Sequence, residues 1–224
     1  MPYDLLTYFE KRVARLKKEK SETAPFITIS RQTGCNGNEL AFQLIKKLKS
    51  ENIKWKYINK EVLEESAKKL KLDESKIKYV FDTVEKSHVD EILSALSNRY
   101  YKSDRIVRKT ITEVLQHYAR EGNMIIVGRA GIATTRELPG GLHIRLTAPY
   151  EWRMNALKRR KVFDRTDVAA FIKKHDAKKR KLIEHFCGKK ISDIHFDLTF
   201  NCETFSKHQI VEMVVEAMEL KKMI

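Results

Sequence analysis

The sequence contains few of the residues that interrupt regular structure. It has 8 Gly and 4 Pro in 224 residues, whereas charged residues make up 33% of the chain. This balance argues against a loop-rich all-β architecture and favours long, charged helices. Hydrophobic residues still account for 42% of the chain, which is enough to bury the core of one large domain and argues against a disordered tail protein.

Cysteine is scarce as well, and its spacing argues against two kinds of site. The chain has three cysteines, Cys35, Cys187 and Cys202, which is an odd number without the C-x-x-C spacing of many zinc sites. A disulfide framework and a zinc site are therefore both disfavoured, and a reducing compartment is indicated.

Long hydrophobic runs are also missing. The segment 1–20 is amphipathic and charged, unlike a signal peptide, and no later apolar run approaches the length needed to cross a membrane. From this pattern we expect a cytoplasmic protein without a membrane partner.

Acidic residues are outnumbered by basic ones. The chain has 30 Asp and Glu against 45 Lys and Arg, a formal net charge of +15. A surface of this charge attracts polyanions such as nucleotide phosphates, nucleic acid and acidic lipid headgroups. Most basic residues alternate with acidic ones at helical spacing, so solvated helix faces account for most of the excess. Because no nucleic-acid motif is present, nucleic acid is the less favoured partner.

Five short runs rich in apolar and β-branched residues indicate strands. They occupy residues 26–30, 55–58, 124–127, 142–146 and 196–200. Helical periodicity begins at residue 39 and returns over 60–121, 150–161, 164–186 and 207–220. Strands that alternate with helices predict an α/β fold with a five-stranded parallel sheet and right-handed crossovers. The stretch 60–121 has no convincing strand and predicts a helical insert.

The loop between the first strand and the first helix is the main candidate site. Backbone N–H groups and the helix dipole favour a phosphate anion at this place in a βα unit, and its two glycines permit a tight turn. The candidate phosphate-binding residues are Ser30, Arg31, Gly34, Cys35, Asn36, Gly37, Asn38 and Glu39. An ordinary βα turn with an Asn- and Gly-rich helix cap is the alternative interpretation.

The loop is not a complete Walker A motif. In G-x-x-x-x-G-K-[ST] the lysine reaches the terminal phosphates and the hydroxyl binds Mg²⁺, but here Gly37 is followed by Asn38 and Glu39. Arg31 is the nearest cation that could replace the lysine, and a structural salt bridge is its other interpretation. Glu39 either contacts Mg²⁺ or only favours the start of the helix.

Several segments together resemble one known family. Residues 27–41, ITISRQTGCNGNELA, resemble the S-R-E-x-G-S-G-G-R-E-I-A signature of the cytidylate kinase-like family. VGRAG at residues 127–131 resembles its V-G-R-G segment, APYEWR at 148–153 its A-P-x-x-x-R segment, and KHDAKKR at 174–180 its D-x-x-R lid. Residues 186–189 and 196–198 also fit. The sequence departs from the signature at Cys35, Asn36 and Asn38, where the family commonly has Ser, Gly and Arg.

The resemblance implies a fold and a division of the chain. The fold would be a P-loop NTPase-like three-layer α/β/α core with a helical insert and a helical lid. We predict an N-terminal helical extension over residues 1–24 and a single domain over 25–224. Within that domain the acceptor-binding insert would cover about residues 60–121 and the lid region about 150–186. A homodimer through the helical insert stays open, because helix packing within one chain explains its aromatic and basic residues equally well.

The resemblance also implies an activity. This activity would be ATP-dependent phosphoryl transfer to a CMP-like nucleoside monophosphate, or to a related small acceptor, with ATP and Mg²⁺. Arg129 would contact the acceptor phosphate, Arg153 and Arg180 would clamp the transferring group, and Asp176 would orient an arginine or a metal-bound water. Each also has a structural interpretation, as a helix cap, a solvated side chain or an i,i+4 partner. The alternative function is a non-catalytic module with a degenerate P-loop that binds nucleotide or nucleic acid.

Overall fold

The central element of the protein is one parallel sheet of five strands. The computed structural model describes residues 24–50, 54–59, 61–71, 104–160 and 167–224. The strands are β1 (Phe26–Arg31), β2 (Lys56–Ile58), β3 (Met124–Val127), β4 (Gly141–Thr147) and β5 (Leu198–Asn201). Their order across the sheet is β2-β3-β1-β4-β5, and every neighbouring pair is parallel.

Helices cover both faces of this sheet. They are α1 (Gly37–Ser50), α2 (Glu61–Leu70), α3 (Asp104–Glu121), α4 (Gly131–Thr135), α5 (Tyr150–Lys158), α6 (Val168–Cys187) and α7 (Lys207–Leu220), with a 3₁₀ turn at Asp193–His195. On one face, Leu44 of α1 and Val214 of α7 pack in one core with Ile29 of β1. On the other face, Ile111 of α3 packs with Ile126 of β3. The result is a three-layer α/β/α arrangement.

Strand β1 lies in the middle of the sheet, and its apolar residues are buried on both faces. Ile27 and Ile29 face the core with α1 and α7, whereas Phe26 faces the core with α3. Fully covered parallel strands require such continuous apolar sequence. The buried polar side chain of β1, Thr28, is satisfied by a 2.8 Å hydrogen bond between its Oγ1 and His143 Nδ1 on β4.

The strand order creates a crevice at the carboxyl end of β1. The chain leaves β1 towards β2 on one side of the sheet, and it leaves β3 towards β4 on the other side. Ligands of open α/β sheets bind at such a change of direction, outside the carboxyl ends of the strands. The loop at residues 32–36 and the turn at residues 128–130 border this crevice.

The predicted α/β/α fold with a five-stranded parallel sheet is confirmed. The short helix α4 was not predicted, and β5 begins at Leu198 and not at residue 196. Asp197 lies just before β5, and its side chain accepts a hydrogen bond from His143 N–H at 2.7 Å. Of the insert, α2 and α3 are described, and residues 72–103 lie outside the described residues. Most of the predicted N-terminal extension and residues 161–166 also lie outside them.

Membrane-spanning helices are not found in the part of the chain that the structure describes. None of its helices combines the length and the apolar character that crossing a bilayer requires.

Helix α1 provides a matched test of the core. Leu44 is fully buried between the sheet and α7, whereas the Phe42 residue on the same helix is 60% exposed. We expect Leu44→Ala to lower the free energy of unfolding by about 2–5 kcal/mol, because it removes buried methyl groups and leaves a cavity. Phe42→Ala should change it by less than about 1 kcal/mol. Urea unfolding of both variants measures the difference, and equal losses would contradict this packing of α1.

Candidate phosphate-binding site

The loop after β1 forms a turn that leads directly into α1. Gln32 N–H donates to Leu146 O at 3.0 Å, and Cys35 N–H donates to Gln32 O at 3.2 Å. The Asn36 side chain caps α1 by accepting a hydrogen bond from Glu39 N–H at 3.3 Å. Within the described residues, the N–H groups of Gly37 and Asn38 have no acceptor. Free N–H groups at a helix N-terminus are suited to an anion.

Thr33 fixes the conformation of this loop. Its N–H donates to Asp176 Oδ1 at 2.7 Å, its carbonyl oxygen accepts from Arg153 Nη1 at 3.2 Å, and its Oγ1 accepts from Lys179 Nζ at 2.8 Å. Arg153 belongs to α5, and the other two partners belong to α6. Thr33 is only 5% exposed, so these bonds are protected from water. The loop is therefore attached to both helices through one residue.

Arg153 and Asp176 form a partly buried ion pair beside Thr33. Arg153 Nη1 lies 2.5 Å from Asp176 Oδ2, and Arg153 Nε donates to Ala148 O at 3.1 Å. Arg153 is 7% exposed. A Cβ atom at Gly34 would lie 2.8 Å from the Cβ of Arg153, so only glycine permits this approach. In this structure Asp176 pairs with Arg153 and both hold the loop. The roles in phosphoryl transfer that the sequence predicts for them stay predictions.

Arg31 extends from the end of β1 across the turn that follows β3. Its guanidinium lies directly over Gly128, where a methyl group would collide with Nη1. Burial, and to a smaller extent the neighbouring Arg129, lower the pKa of Arg31. No acidic side chain among the described residues pairs with it. A buried cation without a counter-ion favours binding of an external anion.

Lys179 is the second such cation, and sequence analysis did not identify it. Burial is the main cause that lowers its pKa to about 8, and repulsion from Arg31 adds to this, while Asp176 opposes it. The D-x-x-R spacing counted from Asp176 ends at Lys179, three residues further along α6. That spacing could have identified it. Arg180, which was predicted instead, lines a different cavity on the other side of α6.

Arg129 lies in an unusual backbone turn at the end of β3. Gly128, Arg129 and Ala130 all have left-handed φ values, of +72°, +54° and +57°. For the two residues with a Cβ atom this costs about 1–2 kcal/mol each. Arg129 Nε donates to the carbonyl oxygen of Asn59 at 3.0 Å, which directs the side chain towards the crevice. Strain of this kind is frequent at functional sites.

Three cavities surround Arg31, Lys179 and the loop. The loop cavity, of about 210 Å³, is lined by Arg31, Thr33, Gly34, Cys35, Asn36, Gly37, Asn38, Arg160, His175 and Lys179. The Arg129 cavity, of about 250 Å³, is lined by Arg31, Asn59, Arg129, His175, Lys178 and Lys179. The aromatic cavity, of about 490 Å³, lies beyond the loop and contacts Trp152, Arg159, Arg160, Cys202 and Phe205. Arg31 and Lys179 are common to the first two cavities.

Of the other predicted loop residues, Ser30 lines the cavity that also contains Arg180, and Glu39 lines none of these cavities. The Glu39 carboxylate instead accepts a hydrogen bond from Gln43 at 3.0 Å.

The described residues do not suit an Mg²⁺ ion held by the protein. Proteins usually bind Mg²⁺ through one or two carboxylates together with substrate phosphates. Asp176 is the acidic side chain nearest the loop, and each of its oxygens already accepts a hydrogen bond. Within the described ranges no group of three or more His, Cys, Asp or Glu side chains is gathered as a metal site. We therefore assign no metal-dependent step to these residues.

The thiols of Cys35 and Cys202 interact directly beneath the loop. Their hydrogen bond, reinforced by burial, raises the pKa of Cys35, and the same hydrogen bond lowers the pKa of Cys202. Cys35 is buried, whereas Cys202 is half-buried and lines the aromatic cavity. Thiolate character and access together decide the reactivity of a cysteine.

We expect Cys202 to react before Cys35 with iodoacetamide, because its thiol is both more acidic and more accessible. Peptide mass spectrometry after brief labelling at neutral pH measures the order of the two reactions. Faster labelling of Cys35 would contradict the arrangement.

Gly128 and Gly188 offer matched substitutions, because their φ values are +72° and +71°. Alanine should cost a similar free energy at both, about 1–2 kcal/mol. Only at Gly128 would the new methyl group displace the Arg31 guanidinium, since nothing lies within 4 Å of that position at Gly188. We expect Gly128→Ala to weaken pyrophosphate binding about tenfold and Gly188→Ala to leave it unchanged. Calorimetric titration tests this, and equal binding by both variants would exclude Arg31 from the anion site.

Comparisons with known proteins identify the fold and the family of the chain. A crystal structure of an uncharacterized protein from Eubacterium ventriosum ATCC 27560 has a similar fold, with a TM-score of 0.59 at 16% sequence identity. The similarity covers 87% of this chain and 98% of that chain. No curated protein matches the sequence. The model of the cytidylate kinase-like family matches residues 26–204, from β1 through both loop-holding helices to the end of the sheet, and the chain belongs to this family.

Proposed function

We propose that the chain binds ATP and transfers its terminal phosphoryl group to a small phosphorylated acceptor of the CMP type. The family indicates a nucleotide kinase-like function, and kinases generally use ATP together with Mg²⁺. The choice of ATP, the acceptor and the transfer step belong to the proposal. Mg²⁺ would arrive bound to the nucleotide phosphates, because the described residues gather no group of three or more metal-binding side chains for it.

The contact between Lys179 and Thr33 is the observation that carries the proposal. In a complete Walker A motif the lysine for the terminal phosphates comes from the loop itself. Here an ammonium group reaches the loop from α6, with Nζ 2.8 Å from Thr33 Oγ1. Arg31 adds a second cation from β1, and the free N–H groups at the start of α1 face the same cavity. Together these groups form an electropositive site for the β- and γ-phosphates.

The aromatic cavity would hold the nucleoside of the donor. It is continuous with the phosphate loop through Gly34 and Asn36, which line both cavities. Trp152 and Phe205 provide flat apolar surface for a base. Arg160 also lines both cavities, so it could contact the phosphate chain between them. A volume of about 490 Å³ falls within the usual range of small-molecule pockets.

The Arg129 cavity would hold the phosphate of the acceptor. Its cationic side chains come from three elements: Arg31 from β1, Arg129 from the turn after β3, and Lys178 and Lys179 from α6. Because Arg31 and Lys179 also line the loop cavity, a phosphoryl group moving between donor and acceptor would remain next to the same two cations. Positioning and charge neutralisation are the main requirements of phosphoryl transfer.

A non-catalytic nucleotide-binding module is the second candidate function. It is favoured by the state of Asp176, whose two oxygens each accept a hydrogen bond, from Thr33 and Arg153, which makes the carboxylate a weaker base for an acceptor proton. The two functions separate in one assay. The kinase forms ADP from ATP in the presence of CMP or another acceptor, whereas the module binds ATP and forms none.

The pKa of Lys179, lowered to about 8, gives ATP binding a characteristic pH dependence. The charged ammonium attracts phosphate, so ATP affinity should fall as the pH rises from 7 to 9. Phosphate groups lose their last proton near pH 6 and do not titrate in this range. Stability should change in the opposite direction, because the folded protein has released this proton above pH 8 while the unfolded chain still holds it. Calorimetric titration at several pH values measures the affinity.

Substitution of Lys179 provides the controls. Lys179→Arg keeps its charge at pH 9 and should lose the pH step, whereas Lys179→Gln should bind ATP about tenfold more weakly at pH 7 and also show no step. Lys181→Gln, which removes an exposed charge from the same helix, should behave as the unchanged protein. If Lys179→Gln binds ATP as tightly as the unchanged protein, the proposed phosphate site is wrong.

A further inference from the structure

A fourth cavity lies beside the Arg129 cavity, and Arg31 and Lys179 line both of them. It has a volume of about 150 Å³ and is bounded by α6, by the ends of β1 and β4, and by the segment before β5. We call it the Phe196 cavity. Its lining includes Ser30, Arg31, Arg145, Lys179, Arg180, Ile183, Glu184, Ile191 and Phe196. Neither the donor nor the acceptor of the proposed reaction occupies this cavity.

The lining of the Phe196 cavity combines cationic and apolar side chains. The cations are Arg31, Arg145, Lys179 and Arg180, and the apolar side chains are Ile183, Ile191 and Phe196. A ligand that satisfies both kinds of side chain needs an anionic group attached to a compact apolar body. The lining contains Asp176 and Glu184 as its acidic residues, and Asp176 is already paired with Arg153. The lining therefore has excess positive charge.

Arg180 contributes an uncommitted cation to this cavity. In the described part of the chain it forms no ion pair, although Glu184 is one helical turn away on α6. It also does not line the loop cavity or the Arg129 cavity. Arg180 is an exposed cation that lines the Phe196 cavity.

The wall of the cavity that Phe196 forms is preorganised by neighbouring contacts. Arg145 of β4 lies over the Phe196 ring, with its guanidinium carbon 5.3 Å from the ring centroid, and it also pairs with Asp193. Phe196 N–H donates to Asp193 O at 3.0 Å. Since the ring and its backbone are both held, a bound ligand would not have to order this wall.

The volume of the cavity is sufficient for one ring. An engineered cavity of about 150 Å³ in another protein accommodates benzene, and the Phe196 cavity has about the same volume. A six-membered ring would fit against Phe196, with an attached anion reaching Arg180.

We propose that the Phe196 cavity is a second small-molecule site, for a phosphate monoester of a single-ring compound. Its phosphate contacts Arg180 and lies next to Arg31 and Lys179, and its ring stacks on Phe196. Because Arg31 and Lys179 also serve the phosphates of the nucleotide, the two ligands share cations. Occupancy of either site should therefore weaken binding at the other, by the same factor in both directions.

The experiment uses phenyl phosphate as the probe in calorimetric titrations of the full chain. Inorganic phosphate tests the anion alone, phenol the ring alone, and glycerol phosphate an anion with a non-aromatic body. We expect phenyl phosphate to bind about tenfold more tightly than inorganic phosphate or glycerol phosphate, since stacking on an aromatic side chain contributes roughly this factor. Phenol alone should not bind measurably. Equal affinity for phenyl phosphate and inorganic phosphate would overturn the proposal.

Two adjacent residues of α6 provide matched variants. Arg180→Gln and Lys181→Gln each remove one positive charge, but only Arg180 lines the cavity. We expect Arg180→Gln to weaken phenyl phosphate binding about tenfold and Lys181→Gln to have no effect. Phe196→Leu should remove the preference for phenyl phosphate over inorganic phosphate. An equal effect of the two charge-removing variants would show that the probe responds to net charge alone, which also overturns the proposal.

Titration of ATP in the same samples separates this proposal from the function proposed above. If ATP binds and phenyl phosphate does not, only the second site is wrong. If phenyl phosphate binds and ATP does not, the second site stands and the kinase proposal fails. With both bound, saturating ATP should weaken phenyl phosphate binding at least about threefold, and the lack of any mutual effect would contradict the shared cations.

Discussion

The attachment of Thr33 to helices α5 and α6 is the interaction on which the candidate site depends. A βα loop with two glycines has many accessible conformations, and its N–H groups form an anion site only when one conformation is held. Thr33 accepts hydrogen bonds from Arg153 and Lys179 and donates one to Asp176. These three bonds select that conformation. The same bonds hold the middle of α6 against the loop. The shape of the loop and the arrangement of its surrounding charges are therefore one structural feature.

The free energy needed to desolvate the cations of this arrangement explains why it suits a phosphate. Arg153 is buried but paired with Asp176, whereas Arg31 and Lys179 are largely desolvated without an acidic partner of their own. Desolvation and mutual repulsion make both cations less stable in the folded protein than in water. Binding of a phosphate would recover part of this free energy. The desolvated cations and the left-handed turn at Arg129 and Ala130 both lower the stability of the folded protein. Burial of the apolar sheet must offset this loss.

Sequence patterns were sufficient for the sheet but not for the charges around it. The continuous run of buried residues at the start of β1, and the capping pattern at Asn36, are properties of neighbouring residues, so the strand and the loop could be predicted. The Phe196 cavity could not be identified in this way, and the D-x-x-R spacing could point to Lys179 but not to its contact with the loop. Arg180 is next to Lys179 in sequence, yet successive residues of a helix point about 100° apart. Which of them reaches the loop depends on how α6 packs.

The amino-acid order specified the strands, the helices and the position of a candidate phosphate-binding loop after β1, because these depend on local periodicity and on where glycine and asparagine occur. It also revealed that the loop lacks the lysine of a Walker A motif. Only the tertiary structure shows that Lys179 contacts the loop, since it is 146 residues from Thr33 and reaches it through the packing of α6. The assignment of Arg153 and Asp176 to loop anchorage, and of Arg180 to a separate cavity, has the same cause: contacts between distant segments are decided by packing across the sheet.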